Sequence, residues 1–99
     1  MSDRFQNLIN SEKPVLVDFY ADWCVPCRLM TPVLKTVKED LRDQVRIVKV
    51  NVDRNPVLAS RYNIRSIPTL MLFRRGHPHW TRQGVPSSAE IHENLSAHL

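Results

Sequence analysis

The sequence predicts an α/β fold: a mixed sheet of about four strands flanked by helices. The order of its apolar patterns carries that prediction. Val15 to Tyr20 is a nearly continuous apolar, β-branched run, the pattern of a strand covered on both faces. Apolar residues at helical spacing follow from Val25 to about Leu41, and a second apolar run spans Val45 to Val52. Strand, helix and strand in that order make a parallel pair joined by a right-handed crossover. Thr69 to Phe73 and His79 to Gln83 stand only a short turn apart, which makes them an antiparallel hairpin.

The first element is a short helix from about Asp3 to Asn10, capped by Ser2 or Asp3, with Phe5, Leu8 and Ile9 on its apolar side. It stops before Pro14. Val15 to Tyr20 belongs in the middle of the sheet, and only Asp18 interrupts its apolar character. The long helix places Leu29, Met30, Val33, Leu34, Val37 and Leu41 at core spacing, and Pro32 should kink it without ending it. Val45 to Val52 reads as a second buried strand. Asn55-Pro56, a capping residue followed by proline at the first helical position, opens a short helix to about Tyr62. The hairpin turn runs through Arg75-Gly76-His77-Pro78. Ser87 and Glu90 have capping-box spacing and open a final helix that buries Ile91 and Leu95.

At 99 residues, without repeats, linkers or low-complexity segments, the chain reads as one domain over residues 1–99. Such a length leaves no room for a cofactor module, so any electrons it handles come from another protein. Its 42% hydrophobic and 24% charged residues suit a globular core that needs no structural disulfide, which frees the cysteines for chemistry. The net charge of +4 comes from scattered basic residues, with only Arg74-Arg75 adjacent. That pattern describes a mildly basic surface suited to acidic partner proteins, not to nucleic acid. No run approaches the ~20 apolar residues of a membrane span, and Met1-Ser2-Asp3-Arg4 has no signal-peptide pattern. The expectation is a soluble, cytoplasmic protein with no membrane contact, and a reducing compartment favours catalytic over structural cysteines.

The two cysteines lie together in Trp23-Cys24-Val25-Pro26-Cys27, between the first strand and the long helix. Two intervening residues on a first helical turn bring both sulfurs to one place, where they can alternate between a disulfide and two thiols. The helix N-terminus offers unpaired N–H groups and a positive dipole end, which stabilise a thiolate. Cys24, at the exposed start of the helix, is the expected attacking thiol, and Cys27, one turn deeper, the resolving thiol. A zinc clip needs four ligands; no second cysteine pair exists, and His77, His79, His92 and His98 lack suitable spacing and read as solvated positions. No bound cofactor or metal is expected beyond a redox-active Cys24–Cys27 disulfide. Burial of Asp18 should raise its pKa and poise it to deprotonate Cys27.

Val15-Leu16-Val17-Asp18-Phe19-Tyr20-Ala21-Asp22-Trp23-Cys24-Val25-Pro26-Cys27-Arg28 resembles the active-site segment of the thioredoxin family, and Pro32 resembles its helix-kinking proline. Asn51-Val52-Asp53 with Asn55-Pro56, Ile64-Arg65-Ser66-Ile67-Pro68-Thr69, Gly76 and Gly84 continue the resemblance over nearly the whole chain. It implies a thioredoxin-like sheet whose usual first strand is missing, since at most Met1 remains for it. That strand would pair with the edge strand Val45 to Val52, so the edge is expected to be open to a homodimer or partner contact. Val25 departs from the glycine most common in the family and adds stiff apolar surface between the cysteines.

The resemblance further implies a role for Asp18 in proton transfer, with Lys49 as its charged neighbour, and a cis Ile67–Pro68 bond facing the dithiol. Trp23, Val25, Pro26, Ile67, Pro68 and Gly84 would form an apolar docking surface, where the Ile67 backbone pairs with an extended substrate segment. The expected activity is that of an electron carrier that reduces disulfides in target proteins through a mixed disulfide and is recycled by a flavoenzyme of the thioredoxin-reductase type. A thiol oxidase or isomerase of the same fold, or a binding and scaffold module, are the competing readings. Trp80 carries no functional argument.

Overall fold

A computed structural model describes residues 2–98, with side chains from Arg4 onward. Helix α1 (Ser2–Ile9) leads into strand β1 (Val15–Tyr20), helix α2 (Val25–Leu41), a 3-10 turn at Arg42–Gln44 and strand β2 (Arg46–Asn51). Helix α3 (Pro56–Arg61), strands β3 (Thr69–Arg74) and β4 (His77–Gln83) and helix α4 (Ser88–Ala97) complete it. The sheet order is β2-β1-β3-β4: β1 is parallel to β2 and β3 antiparallel to β4, as expected, while the antiparallel pairing of β1 with β3 is one the element order left open. The cap assigned to Ser2 or Asp3 and the question of a strand at Met1 lie outside the described side chains and residues.

Alternation along β1 divides the core. Leu16 faces Met30, Leu34 and Val37 of α2 together with Ile91 and Leu95 of α4. Val15, Val17 and Phe19 face the other way, into a cluster with Phe5 and Ile9 of α1 and with Leu58 and Tyr62. Phe73 and Phe5 meet Tyr62 edge-on or tilted, at centroid distances of 5.2 and 5.7 Å. The fully buried side chains among these, such as Leu16, Phe19 and Phe73, each contribute ~1.5–3 kcal/mol of transfer free energy. Because side chains on a strand alternate faces, Asp18 shares the α2 face with Leu16 and Tyr20. That parity, with β1 in the middle of the sheet, places a buried carboxyl group on the face that α2 covers.

The local signals differ from the sequence reading in several places. Strand β2 is half-buried at its start, with Arg46 and Lys49 exposed and only Val50 and Asn51 buried, because among the described residues nothing pairs with its outer edge. Leu29, expected in the core, is 60% exposed, since it falls on the outer side of α2 while Met30 takes the inner one. Asn55 does not cap α3 with its side chain; its Nδ2 donates to the Asn51 carbonyl at 3.0 Å, while Asn51 Oδ1 accepts from the N–H groups of Asp53 and Arg54. Strand β4 begins at His77, two residues early. Arg75 and Gly76 both have positive φ (53° and 83°), the two-residue turn that matches strand twist, and the register slips by one at His79, between the Leu72–Trp80 and Phe73–Pro78 pairs.

Helix α2 continues through Pro32 as expected. At α4, Ser87 Oγ accepts the Glu90 N–H at 3.1 Å, but the Glu90 carboxylate does not return to the cap. It binds Arg82 of β4 at 2.7 Å, tying the last helix to the sheet.

Candidate active site

The loop from β1 reverses at Ala21, whose carbonyl accepts the Cys24 N–H at 3.2 Å, and α2 starts one residue later. Cys24 is the N-cap of that helix: its Sγ lies 3.2 Å from the Cys27 N–H, in the place an oxygen cap would occupy. Pro26 in the first turn removes a donor that the helix could not have used. Cys24 and Cys27 form a disulfide across a Cα–Cα separation of 5.3 Å. On reduction, the N–H directed at Cys24 and the positive end of α2 favour the thiolate of that sulfur.

Cys24 is not the exposed partner expected of it. It retains 4% exposure, the same as Cys27. Trp23 and Val25, the chain neighbours of Cys24, are 68% and 64% exposed, and Tyr20, Val52 and Ile67 pack against the cluster of Ala21, Cys24 and Cys27. What separates the two cysteines is therefore hydrogen bonding and not burial. Cys27 lines a cleft of about 180 Å³ with Tyr20, Ala21, Asp22, Arg28, Thr31 and Lys49.

Asp18 is fully buried, and neither carboxylate oxygen has a hydrogen-bond partner. Burial raises its pKa from 3.8 to about 6, with Lys49 pulling it back. Lys49 stands opposite Asp18 in the parallel register, and its Nζ lies 4.5 Å from the centre of the Tyr20 ring. The lysine thus acts on Asp18 through its field, without a hydrogen bond between them. The arrangement provides a dithiol couple together with a carboxyl group able to exchange a proton near neutrality.

The Ile67–Pro68 bond is cis, and the buried Pro68 accepts the Gly84 N–H at its carbonyl, at 2.9 Å. Gly84 has φ +81°, a conformation that favours glycine. Ile67 is half-buried beside the cysteines, whereas Trp23, Val25 and Pro26 are exposed. Trp80 is half-buried against the α2–α4 core. Three features escaped the sequence reading. Trp23 Nε1 donates to Asp53 Oδ2 at 2.8 Å, which holds the indole in place from the loop after β2. Leu29 extends the exposed apolar ridge of Val25 by one helical turn. Arg28 turns back to the Asp22 carbonyl at 3.3 Å and flanks the cleft. Asp53 and Arg28 had a visible signal, the one as part of Asn51-Val52-Asp53 and the other at the end of the segment from Val15 to Arg28.

Among the described residues no helix is long and apolar enough to cross a membrane, and no group of three or more His, Cys, Asp or Glu side chains could hold a metal ion. Comparison with known proteins agrees with the geometry. The Thioredoxin family model matches residues 1–97. The chain is 46% identical over 94 residues to thioredoxin of Rickettsia bellii, covering 95% of this chain and 90% of the relative. It is 47% identical over 94 residues to thioredoxin 1 of Synechococcus elongatus, covering 95% and 88%. Oxidised mitochondrial thioredoxin 3 of Saccharomyces cerevisiae superposes with a TM-score of 0.86 at 30% identity, over 97% of this chain and 89% of that one. A match of that extent takes in the helix-capping cysteine pair and the strand that feeds it, and the chain belongs to the thioredoxin family as a protein-disulfide oxidoreductase.

Proposed function

We propose that the chain works in the reducing direction, as a general reductant of disulfides in partner proteins. The observation that supports this reading is the likeness to thioredoxins over nearly the whole chain, and the cap geometry sets the order of attack: Cys24 Sγ accepts the Cys27 N–H, so the first thiolate forms at Cys24. That thiolate attacks one sulfur of the target disulfide, forms a mixed disulfide and expels the other target sulfur, which takes up a proton. Cys27 then loses its proton to Asp18 and attacks Cys24, which releases the second target sulfur as a thiol and leaves Cys24–Cys27 oxidised. Two electrons have passed to the target. A thioredoxin-reductase-type flavoenzyme returns them from outside the chain.

Trp23, Val25, Pro26, Ile67, Pro68 and Gly84 form the docking surface in this scheme, with the Ile67 backbone pairing to an extended target segment. Lys49 tunes Asp18 by its charge. The working compartment is the cytoplasm. The β2 edge is the proposed self-association surface; a mass by light scattering that stays monomeric at every concentration argues against it.

The test is insulin-disulfide reduction by the wild type and by Cys24→Ser, together with the equilibrium potential against glutathione. Turnover lost in Cys24→Ser and a potential near the about −270 mV known for thioredoxin support the reductase. A potential near about −120 mV assigns an oxidase instead. Undiminished turnover in Cys24→Ser refutes the mechanism.

A further inference from the structure

The end of the sheet away from the cysteines, where β1 starts and Phe73 pairs with Pro78, brings together two histidines that the redox chemistry does not use. His79 is the extra residue of the β4 bulge, between Pro78 and Trp80. His98 is the C-cap of α4, its N–H bonded to the Leu95 carbonyl at 3.0 Å. Arg74 of β3 anchors that last turn: its Nη1 donates to the His98 carbonyl at 2.9 Å and its Nε to the Glu12 carbonyl at 2.8 Å. The two imidazole rings stand 5.3 Å apart between centroids, with planes inclined at 50°.

That spacing is the one a shared tetrahedral ion would set. A metal ~2.0 Å from an imidazole nitrogen lies ~3.2 Å from the ring centroid, so two rings at the tetrahedral angle have centroids ~5.2 Å apart. Two cis ligands of a square-planar ion would bring them to ~4.5 Å instead. The observed separation therefore fits Zn²⁺ better than Cu²⁺. Ring inclination is unconstrained, because each imidazole can rotate about its metal–nitrogen bond. We propose that His79 and His98 form a two-imidazole site for Zn²⁺, with water completing the coordination. Among the described residues no third His, Cys, Asp or Glu joins the pair, and the Arg74 charge weakens cation binding, so the affinity is modest. The rings are already neighbours, on a strand paired to β3 and on a helix end held by Arg74, so little backbone rearrangement opposes binding. Bound zinc would clamp the end of α4 to the edge strand.

The test is calorimetric titration with zinc chloride on the oxidised protein, because free Cys24 and Cys27 thiolates would compete for the metal. One site is expected. His79→Gln and His98→Gln should each weaken it by at least the ~10-fold that loss of even a supporting partner costs at metal sites. His92→Gln, whose imidazole is engaged with Asp40 at 3.0 Å, should leave it unchanged. Absence of binding at about 1 mM zinc, unchanged affinity in either of the first two variants, or an equal loss in His92→Gln would each overturn the proposal.

Discussion

Replacing Asp18 by Asn removes a carboxyl group that is fully buried and has no hydrogen-bond partner, and the consequence can be worked out as a function of pH. The folded-state pKa of about 6 lies above the ordinary 3.8. Between those values the native protein holds a proton that the unfolded chain has released, so stability falls as pH rises through this window. Below pH 3.8 both states are protonated and the aspartate carries no penalty. Above about pH 6 both are ionised, and the full cost of a buried carboxylate is present. The displacement corresponds to ~3 kcal/mol. Asp18→Asn should therefore gain ~3 kcal/mol relative to wild type between about pH 3 and about pH 8. Comparing the same pair at two pH values cancels differences in packing and amide hydrogen bonding, which do not depend on pH. The assay is urea unfolding of both oxidised proteins across that range. Parallel stability curves would refute the buried-carboxylate argument and, with it, the proton-transfer role.

In the catalytic cycle, Cys27→Ser should accumulate a mixed disulfide with target protein, visible as a mass increase, while Cys24→Ser forms none; trapping by the second variant alone would reverse their roles. Lys49→Met removes the charge that holds the Asp18 carboxyl down, so the acid limb of the resolution step should move to higher pH in stopped-flow measurements; an unmoved profile would show that Lys49 does not tune it. Trp23 is 68% exposed, so Trp23→Ala should lower kcat/KM for protein disulfides by roughly tenfold, ~1.4 kcal/mol, with little change in unfolding midpoint. Ser87→Ala deletes the α4 cap and should cost ~1 kcal/mol by chemical denaturation without affecting turnover.

Most of the site could be read from the chain because its signals are local. Cys-Val-Pro-Cys at a strand-to-helix junction specifies a capped helix with sulfurs on one turn, whatever the rest of the molecule does. Asp18 stood out as the one ionisable residue in a run whose neighbours must be covered. The features that escaped depend on contacts distant in sequence. Whether Cys24 is exposed depends on what packs against it, and Val52 and Ile67, which do, lie far downstream in the chain. Leu29 and Met30 are both apolar and adjacent, and helical spacing alone does not say which of them faces the sheet. Glu90 had the spacing of a capping box, but Arg82 on a neighbouring strand outcompetes the backbone N–H, since a charged donor binds a carboxylate more strongly.

The sequence by itself determined the element order, the parallel β1–β2 pair and the β3–β4 hairpin, the redox pair and the buried acid, because periodicity and turn chemistry act over a few residues. The tertiary structure alone decided that both sulfurs are sunk equally, that a hydrogen bond and not exposure distinguishes them, that Lys49 works through its field from above Tyr20, and that His79 and His98 meet. Depth, direction and proximity are properties of packing between elements, and no local pattern encodes them.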